Sequence, residues 1–291
     1  MINNYRLINS FFYRFPSLAR FFYSHNCYKL LGKKELDLIY LLSFDCDNFE
    51  DIEALKKITP FLNENRIKAT FAVPGEILKA GRYEFNELSK HGHEFIGHGS
   101  KRHSQIKEEK YVSTIYYHKL SDEEIESDIC RGNRAIEEIL GIKPRGFRIP
   151  HFGHSNYKNE LKRVYRVLLK EGMEYSSSTM PLYGILYGPL FKSYCSFWEL
   201  PISGSFEVPL HILDTYSFGF SKRSNRSHFK KYLFNVKKII DQNKNKKMCL
   251  NLYCDPSQAV QMDEWFDSII YAQEAGFKFL TLGEFYDKYR N

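Results

Sequence analysis

From about residue 37 onward the chain alternates short apolar runs with helix-length amphipathic segments, and this alternation restricts the fold more than any other feature. The first run, Leu36-Asp37-Leu38-Ile39-Tyr40-Leu41-Leu42-Ser43-Phe44, is of strand length and almost continuously apolar, as a strand covered on both faces must be. A helix is expected around 50–64, then a second strand at Ile67–Val73 closed by Pro74-Gly75. A further helix runs to Gly92, and His93-Glu94-Phe95-Ile96 makes a third strand. Ser121 and Glu124 have the spacing of a capping box, ahead of a helix with Ile125, Ile129, Ile136, Ile139 and Leu140 on one face and Gly141 at its end. Arg145–Ile149 is a fourth strand, followed by a helix over 156–171. Late in the chain, a helix over 227–241 precedes the strand Met248–Tyr253, and a helix over 258–274 precedes Phe277–Thr281. Repeated strand–helix units make the strands parallel, so the class is α/β, either a barrel or a doubly wound sheet. No GxGxxG or GxxxxGK[ST] follows a strand, so a nucleotide cradle is not expected.

The first 36 residues read differently. Residues 1–34 hold Arg6, Arg14, Arg20, Lys29, Lys33 and Lys34 with no acidic residue, and so carry six of the chain's +7 net charges. They also hold Phe11, Phe12, Tyr13, Phe15, Phe21, Phe22, Tyr23 and Tyr28. The division expected is a basic, aromatic helical extension over 1–36 and one domain over 37–291. Such an arm suits either peripheral contact with a membrane surface or packing of its aromatics onto the domain. A basic arm on a near-neutral body, with no helix-turn-helix, zinc-finger or RNA-recognition signature, gives no reason to expect nucleic acid. The start lacks the apolar run and cleavage site of an export signal, and the six cysteines show no CxxC pair, which suits free thiols. The expected location is cytoplasmic, at the inner face of the membrane if the arm binds there.

Residues able to do chemistry follow the strands, where parallel α/β folds place their active face. Asp45 and Asp47 follow the first, His98 and His103 the third, and Arg148, Pro150 and His151 the fourth. One aspartate with two histidines is a three-ligand set for Zn²⁺ or a similar ion with a position left open for water. The other aspartate could then act as a general base held by Arg148.

These residues, in this order, resemble the NodB-type polysaccharide deacetylase family. Its first motif is similar to Ser43-Phe44-Asp45-Cys46-Asp47, its Ala-Thr-Phe segment to Ala69-Thr70-Phe71, and its histidine lead-in to Gly92-His93-Glu94-Phe95-Ile96-Gly97-His98. Its Phe-Arg-x-Pro motif matches Phe147-Arg148-Ile149-Pro150, and its closing segments resemble Leu252–Pro256 and Gly276–Leu282. The resemblance implies a distorted (β/α) barrel of about seven parallel strands and one divalent metal, Zn²⁺ foremost with Co²⁺, Ni²⁺ or Mn²⁺ as alternatives. It implies Asp45 as the base acting on metal-bound water, Asp47, His98 and His103 as ligands, and Arg148 as the group orienting Asp45. A backbone N–H near His151 would steady the oxyanion. The substrate implied is an acetylated saccharide that releases acetate, and the location expected above adds a lipid-linked one as a candidate.

The sequence departs from the family at three places. His98 and His103 are five apart, where the family has four. On an ideal helix five residues turn ~140° from the starting position, so a loop or a π-type turn must bring both to one ion. Cys46 stands where some members have the ligand aspartate, which moves that role to Asp47 and leaves Cys46 as a small buried filler. The family's late His-Pro is here Asp255-Pro256, so either Asp255 or His211 supplies the general acid or the acid step is lost, and in the structural reading Asp255 is only the turn before a helix. Glu199 is a candidate to line a sugar cleft and Trp198 to stack on a ring or fill the core. Two other readings stand beside the deacetylase: a saccharide-binding protein without catalysis, and an amidohydrolase for a small amide.

Overall fold

The computed structural model describes residues 5–32, 38–107, 110–205, 234, 236–242 and 247–291. Two helices, α1 (Tyr5–Arg14) and α2 (Pro16–Leu31), precede the fully buried strand β1 (Leu38–Asp45). Then follow α3 (Phe49–Glu64), β2 (Thr70–Val73), α4 (Gly75–Ala80), α5 (Arg82–Lys90) and β3 (Glu94–Gly97). An antiparallel hairpin, β4 (Ser104–Lys107) with β5 (Lys110–Ser113), leads to α6 (Asp122–Leu140). Next come β6 (Gly146–Phe147), α7 (Lys158–Lys170), β7 (Tyr175–Ser176), α8 (Pro181–Tyr187), β8 (Phe191–Lys192), β9 (Trp198–Glu199) and β10 (Gly204–Ser205). The chain closes with helix α9 (residues 236–242), β11 (Met248–Cys254), α10 (Pro256–Ala259), α11 (Asp263–Glu274), β12 (Lys278–Leu280) and α12 (Leu282–Tyr289).

The strands form one curled sheet in the order β10-β11-β1-β2-β3-β6-β7-β9-β8, with β12 also paired to β1. Every pairing in it is parallel except β8 with β9. This is the α/β class that the strand–helix alternation implies, in the distorted-barrel form that the family resemblance implies. The six strands read from the sequence are all present. The pieces that escaped it are two residues long, or belong to the hairpin, and are too short to show a period. The helix expected over 258–274 is two, because the chain breaks between Ala259 and Asp263.

The register explains what one face of the sheet does with its aromatics. Phe44 pairs with Phe71 and Phe71 with Phe95, so in parallel strands the three rings share one face. Their centroids lie 5.0 Å and 5.7 Å apart, and Trp265 of α11 covers Phe44 at 5.7 Å. Because side chains alternate along a strand, Ser43 and Asp45 must point to the other face, into the curl of the sheet.

At the start of β3 the buried His93 accepts the Ala69 N–H at its Nδ1 (3.3 Å), and its Nε2 faces Asn63 Oδ1 at 3.4 Å, the arrangement of a neutral ring. Burial lowers its pKa to about 4. A depressed histidine stabilises the fold above its unfolded value and loses that contribution as pH falls toward 4. Acidification from about 6.5 to about 4 should therefore cost on the order of 3 kcal/mol through His93. Urea denaturation across that range should show a shallower pH dependence for His93→Phe than for wild type.

Candidate metal and active site

The end of β1 and the start of α3 set the two carboxylates. Asn48 and Asp51 form a reciprocal capping box, Asn48 Oδ1 accepting the Asp51 N–H (3.2 Å) and Asp51 Oδ2 accepting the Asn48 N–H (3.0 Å). Asp51 Oδ1 also takes the Ser257 N–H at 2.9 Å, which ties this turn to the Asp255-Pro256 turn. Burial raises the Asp51 carboxyl to about 7, helped by the charge of Asp47. Cys46 is fully buried, and burial together with the surrounding carboxylates raises its thiol far above the usual range. That agrees with a packing role and leaves no thiolate to ligate a metal.

Arg148, just past β6, is completely buried. Its Nη1 donates to Asp45 Oδ1 at 2.6 Å and to Ser43 Oγ at 3.0 Å. Its Nε donates to the Ser177 carbonyl (2.9 Å) and its Nη2 to Ser177 Oγ (3.1 Å), with the Tyr253 ring 5.3 Å from the guanidinium carbon. With one oxygen of Asp45 held by the arginine, Oδ2 is turned toward His98 Nε2, 4.0 Å away.

The five-residue histidine spacing is met by a loop. Residues 98–103 are non-helical, and Gly99 has φ +81°, which the absence of a side chain permits. The first turn of α4 donates Gly75 N–H to the Gly99 carbonyl (3.0 Å) and Glu76 N–H to the Ser100 carbonyl (2.8 Å). Asp128 of α6 accepts from Ser100 N–H (3.1 Å) and Ser100 Oγ (2.9 Å), and is itself held by Tyr117 Oη at 2.8 Å. Gly132 lets α6 come against Gly99: a Cβ there would overlap the Gly99 carbonyl. So clamped, the loop sets the His98 and His103 rings edge to face at 4.4 Å.

Asp47, His98 and His103 are all buried, with one ligand atom of each within 4.8 Å of the others. His98 Nδ1 lies 2.7 Å from the Arg148 carbonyl, which can only accept, so the ring proton is there and Nε2 presents a lone pair. That lone pair faces Asp47 Oδ1 at 3.2 Å. Two acceptors this close need a proton or a cation between them. Accordingly, although burial works against the charged form, Asp47 and Asp45 raise the His98 pKa. Asp47 is lowered well below the usual carboxylate range, its two histidines outweighing its burial. His103 Nδ1 is 3.3 Å from the same Asp47 oxygen, and its Nε2 is buried with no partner among the described residues. Burial and the neighbouring His98 lower its pKa. One carboxylate and two imidazoles, with lone pairs already converging, fit a divalent cation.

The remaining sequence candidates divide. His151, at φ +47°, donates from Nε2 to the His103 carbonyl (3.1 Å) and stands 6.1 Å ring to ring from His103. Asp255 is at the end of β11, beside β1, where Phe44 pairs with Cys254. It occupies the N-cap position of α10 without capping the helix, and Oδ2 accepts from Gln258 Nε2 at 3.2 Å. Three further candidates are placed as follows. Pro150 is buried, so it shapes the turn and offers no surface. Glu199 is fully buried and its carboxylate is consumed by Ser178 N–H, Thr179 N–H, Thr179 Oγ1 and Tyr165 Oη. Trp198 packs edge-on against Tyr286 of α12 under the Lys192 ammonium. His211 lies outside the described residues.

Sequence reasoning missed the supports: Ser43, inside an apolar run, Ser177, inside a serine tract, and Asp128, on a helix that reads as amphipathic. It also missed Tyr116, half-buried on the rim, whose ring lies 5.0 Å from His151 and 5.1 Å from His154. Only the Ser43/Asp45 alternation, two residues apart on one strand face, could have signalled any of them.

Against known proteins, residues 35–169 match the polysaccharide deacetylase family, a span that contains Asp45, Asp47, His98, His103 and Arg148. Over that span the chain is similar to the polysaccharide deacetylases. The likeness in fold extends past the matched span. A crystal structure from Mycobacterium smegmatis assigned to the polysaccharide deacetylases aligns over 88% of this chain and 92% of its own, at 16% identity and TM-score 0.62. A mutant of BA3943, described as a CE4 family pseudoenzyme, aligns over 89% of this chain and 82% of its own, at 16% identity and TM-score 0.52. Both likenesses carry the fold alone. The protein YlxY of Bacillus subtilis (strain 168) is 30% identical over 98 residues, which is 34% of this chain and 27% of that relative's length.

Gly132→Ala should push α6 off the Gly99 loop and cost roughly 1–3 kcal/mol as overpacking. Thermal unfolding would show the loss. Metal content per chain should fall with it, since the loop carries both histidines.

Proposed function

We propose that this protein is a polysaccharide deacetylase-type, metal-dependent hydrolase that removes an N-acetyl group, or less readily an O-acetyl group, from a saccharide of a glycan or glycan precursor. The observation that carries the reading is the placement of Asp45, held by Arg148 through one oxygen while the other faces the Asp47–His98–His103 group. A binding protein would have no use for a carboxylate oriented in this way. A divalent cation held by Asp47, His98 and His103 would supply Lewis acidity to the acetyl carbonyl and lower the pKa of a neighbouring water.

The chain's own groups account for the rest. Asp45 Oδ2 takes the proton of the attacking water, and Arg148, itself held by Ser43 and Ser177, keeps that carboxylate from rotating away. The backbone N–H of His151 points a donor at the tetrahedral oxyanion; the left-handed turn at this residue and its hydrogen bond to the His103 carbonyl hold it next to the metal ligands. Asp255, buried just past the end of β11, protonates the leaving amine. The partly exposed ring of Tyr116 against His151 gives the sugar an aromatic surface at the rim.

Acetate release from N-acetylglucosamine oligomers, with O-acetylated sugars and small acetamides in parallel, tests the proposal. Asp45→Asn should lower kcat/KM by about 10²–10⁴-fold while the metal content stays at the wild-type level. Asp47→Ala should lose the metal itself, as measured by elemental analysis. Chelation should abolish turnover in the wild type, and added Zn²⁺ or Co²⁺ should restore it. Asp255→Asn should move the alkaline limb of the pH–rate profile. A protein that binds one metal ion and saccharide yet releases no acetate would refute the hydrolase reading in favour of a non-catalytic saccharide binder.

A further inference from the structure

Half of the exposed large apolar side chains among the described residues, seven of 14, fall between Leu7 and Tyr28. They include Phe11, Phe15, Leu18, Phe21 and Phe22, with Phe21 66% exposed. The helices that carry them are already packed on their other side. Along α2, Ala19, Tyr23, Cys27 and Leu31 are buried at every fourth position, and Phe12 of α1 is buried with them. Tyr23 Oη donates to the Cys249 carbonyl on β11 and lies 3.2 Å from Ser203 Oγ, while Asn26 Nδ2 donates to the Ile185 carbonyl of α8 at 2.9 Å. The inner stripe therefore meets the folding requirement, and the outward phenylalanines do nothing for the core.

The outward rings form one patch across both helices. Phe11 meets Phe15 at 5.1 Å and Phe12 at 5.5 Å; Phe12 meets Phe22 at 5.9 Å, and Phe22 meets Phe21 at 5.7 Å. Residues 1–34 contain six basic side chains and no acidic one, and on the helices Arg14 and Lys29 are exposed beside the patch. No helix among the described residues is long and apolar enough to cross a membrane. An apolar face on helices whose own charged side chains are all basic, and which cannot span, is complementary to the surface of an anionic bilayer. A protein partner would be expected to meet some acidic groups on this side.

We propose that the outer face of α1 and α2 docks the protein on membranes rich in anionic lipid. The aromatic rings enter the headgroup–acyl boundary and the basic residues lie against the phosphates. The inference rests on these two helices and is independent of the reading of the metal site.

Co-sedimentation of the full-length protein with phosphatidylcholine vesicles, with and without phosphatidylglycerol, tests it. The expected result is partition onto the anionic vesicles that weakens with added salt. Phe21→Ser/Phe22→Ser, made at exposed positions, should lose that partition while its thermal unfolding and metal content remain those of the wild type. Arg14→Glu/Arg20→Glu should weaken it by roughly tenfold or more. Absence of binding to anionic vesicles, or equal binding to both kinds, would overturn the proposal. So would a wild-type dimer in solution that Phe21→Ser/Phe22→Ser dissociates, because the patch would then be an interface between copies.

Discussion

A guanidinium with no solvent exposure sits where four strands of the curled sheet end, and the site is arranged around it. Arg148 follows β6 and reaches Ser43 and Asp45 on β1, Ser177 after β7, and the ring of Tyr253 on β11. A buried cation is costly unless its donors are met, and here acceptors from separate strands meet them in a geometry that the curled sheet supplies. The same residue's carbonyl fixes the tautomer of His98, and so decides which nitrogen faces Asp47. Through its side chain it orients the carboxylate proposed as base, and through its backbone it orients a candidate ligand. Curling of the sheet and assembly of the site are in this sense one event.

The histidine loop is the second constraint. A helix would have aimed His98 and His103 apart, and the chain avoids that by passing through a left-handed glycine and fastening the loop on both sides. α4 contributes helix-end N–H groups and α6 contributes Asp128 and the gap at Gly132. The result brings the two imidazoles to one oxygen of Asp47. An unusual spacing is therefore compatible with an intact ligand set when the loop is rigid.

The neighbourhood is acidic and dry. Asp45, Asp47, Asp51 and Asp255 are all buried within a short reach of Cys46. Like charges so placed repel, and the histidines beside Asp47, Arg148 beside Asp45 and the backbone N–H groups on Asp51 offset the repulsion. This surplus of buried negative charge favours a bound cation.

The sequence by itself determined the α/β class, the strand-end position of Asp45, Asp47, His98 and Arg148, and the capping box at Ser121. These depend on local periodicity, turn chemistry and the order of motifs, all of which are written along the chain. It also displayed the charge imbalance of the first 34 residues, which needs only counting. Only the tertiary structure decided that the five-residue spacing still converges, that Glu199 is locked away by Tyr165, Ser178 and Thr179, and that the aromatics of the arm divide into a packed stripe and an outward patch. Those outcomes depend on which segments distant in sequence lie side by side. A strand of two residues such as Trp198–Glu199 has no period from which to read the face each side chain takes, and the neighbours that bury it come from other parts of the chain.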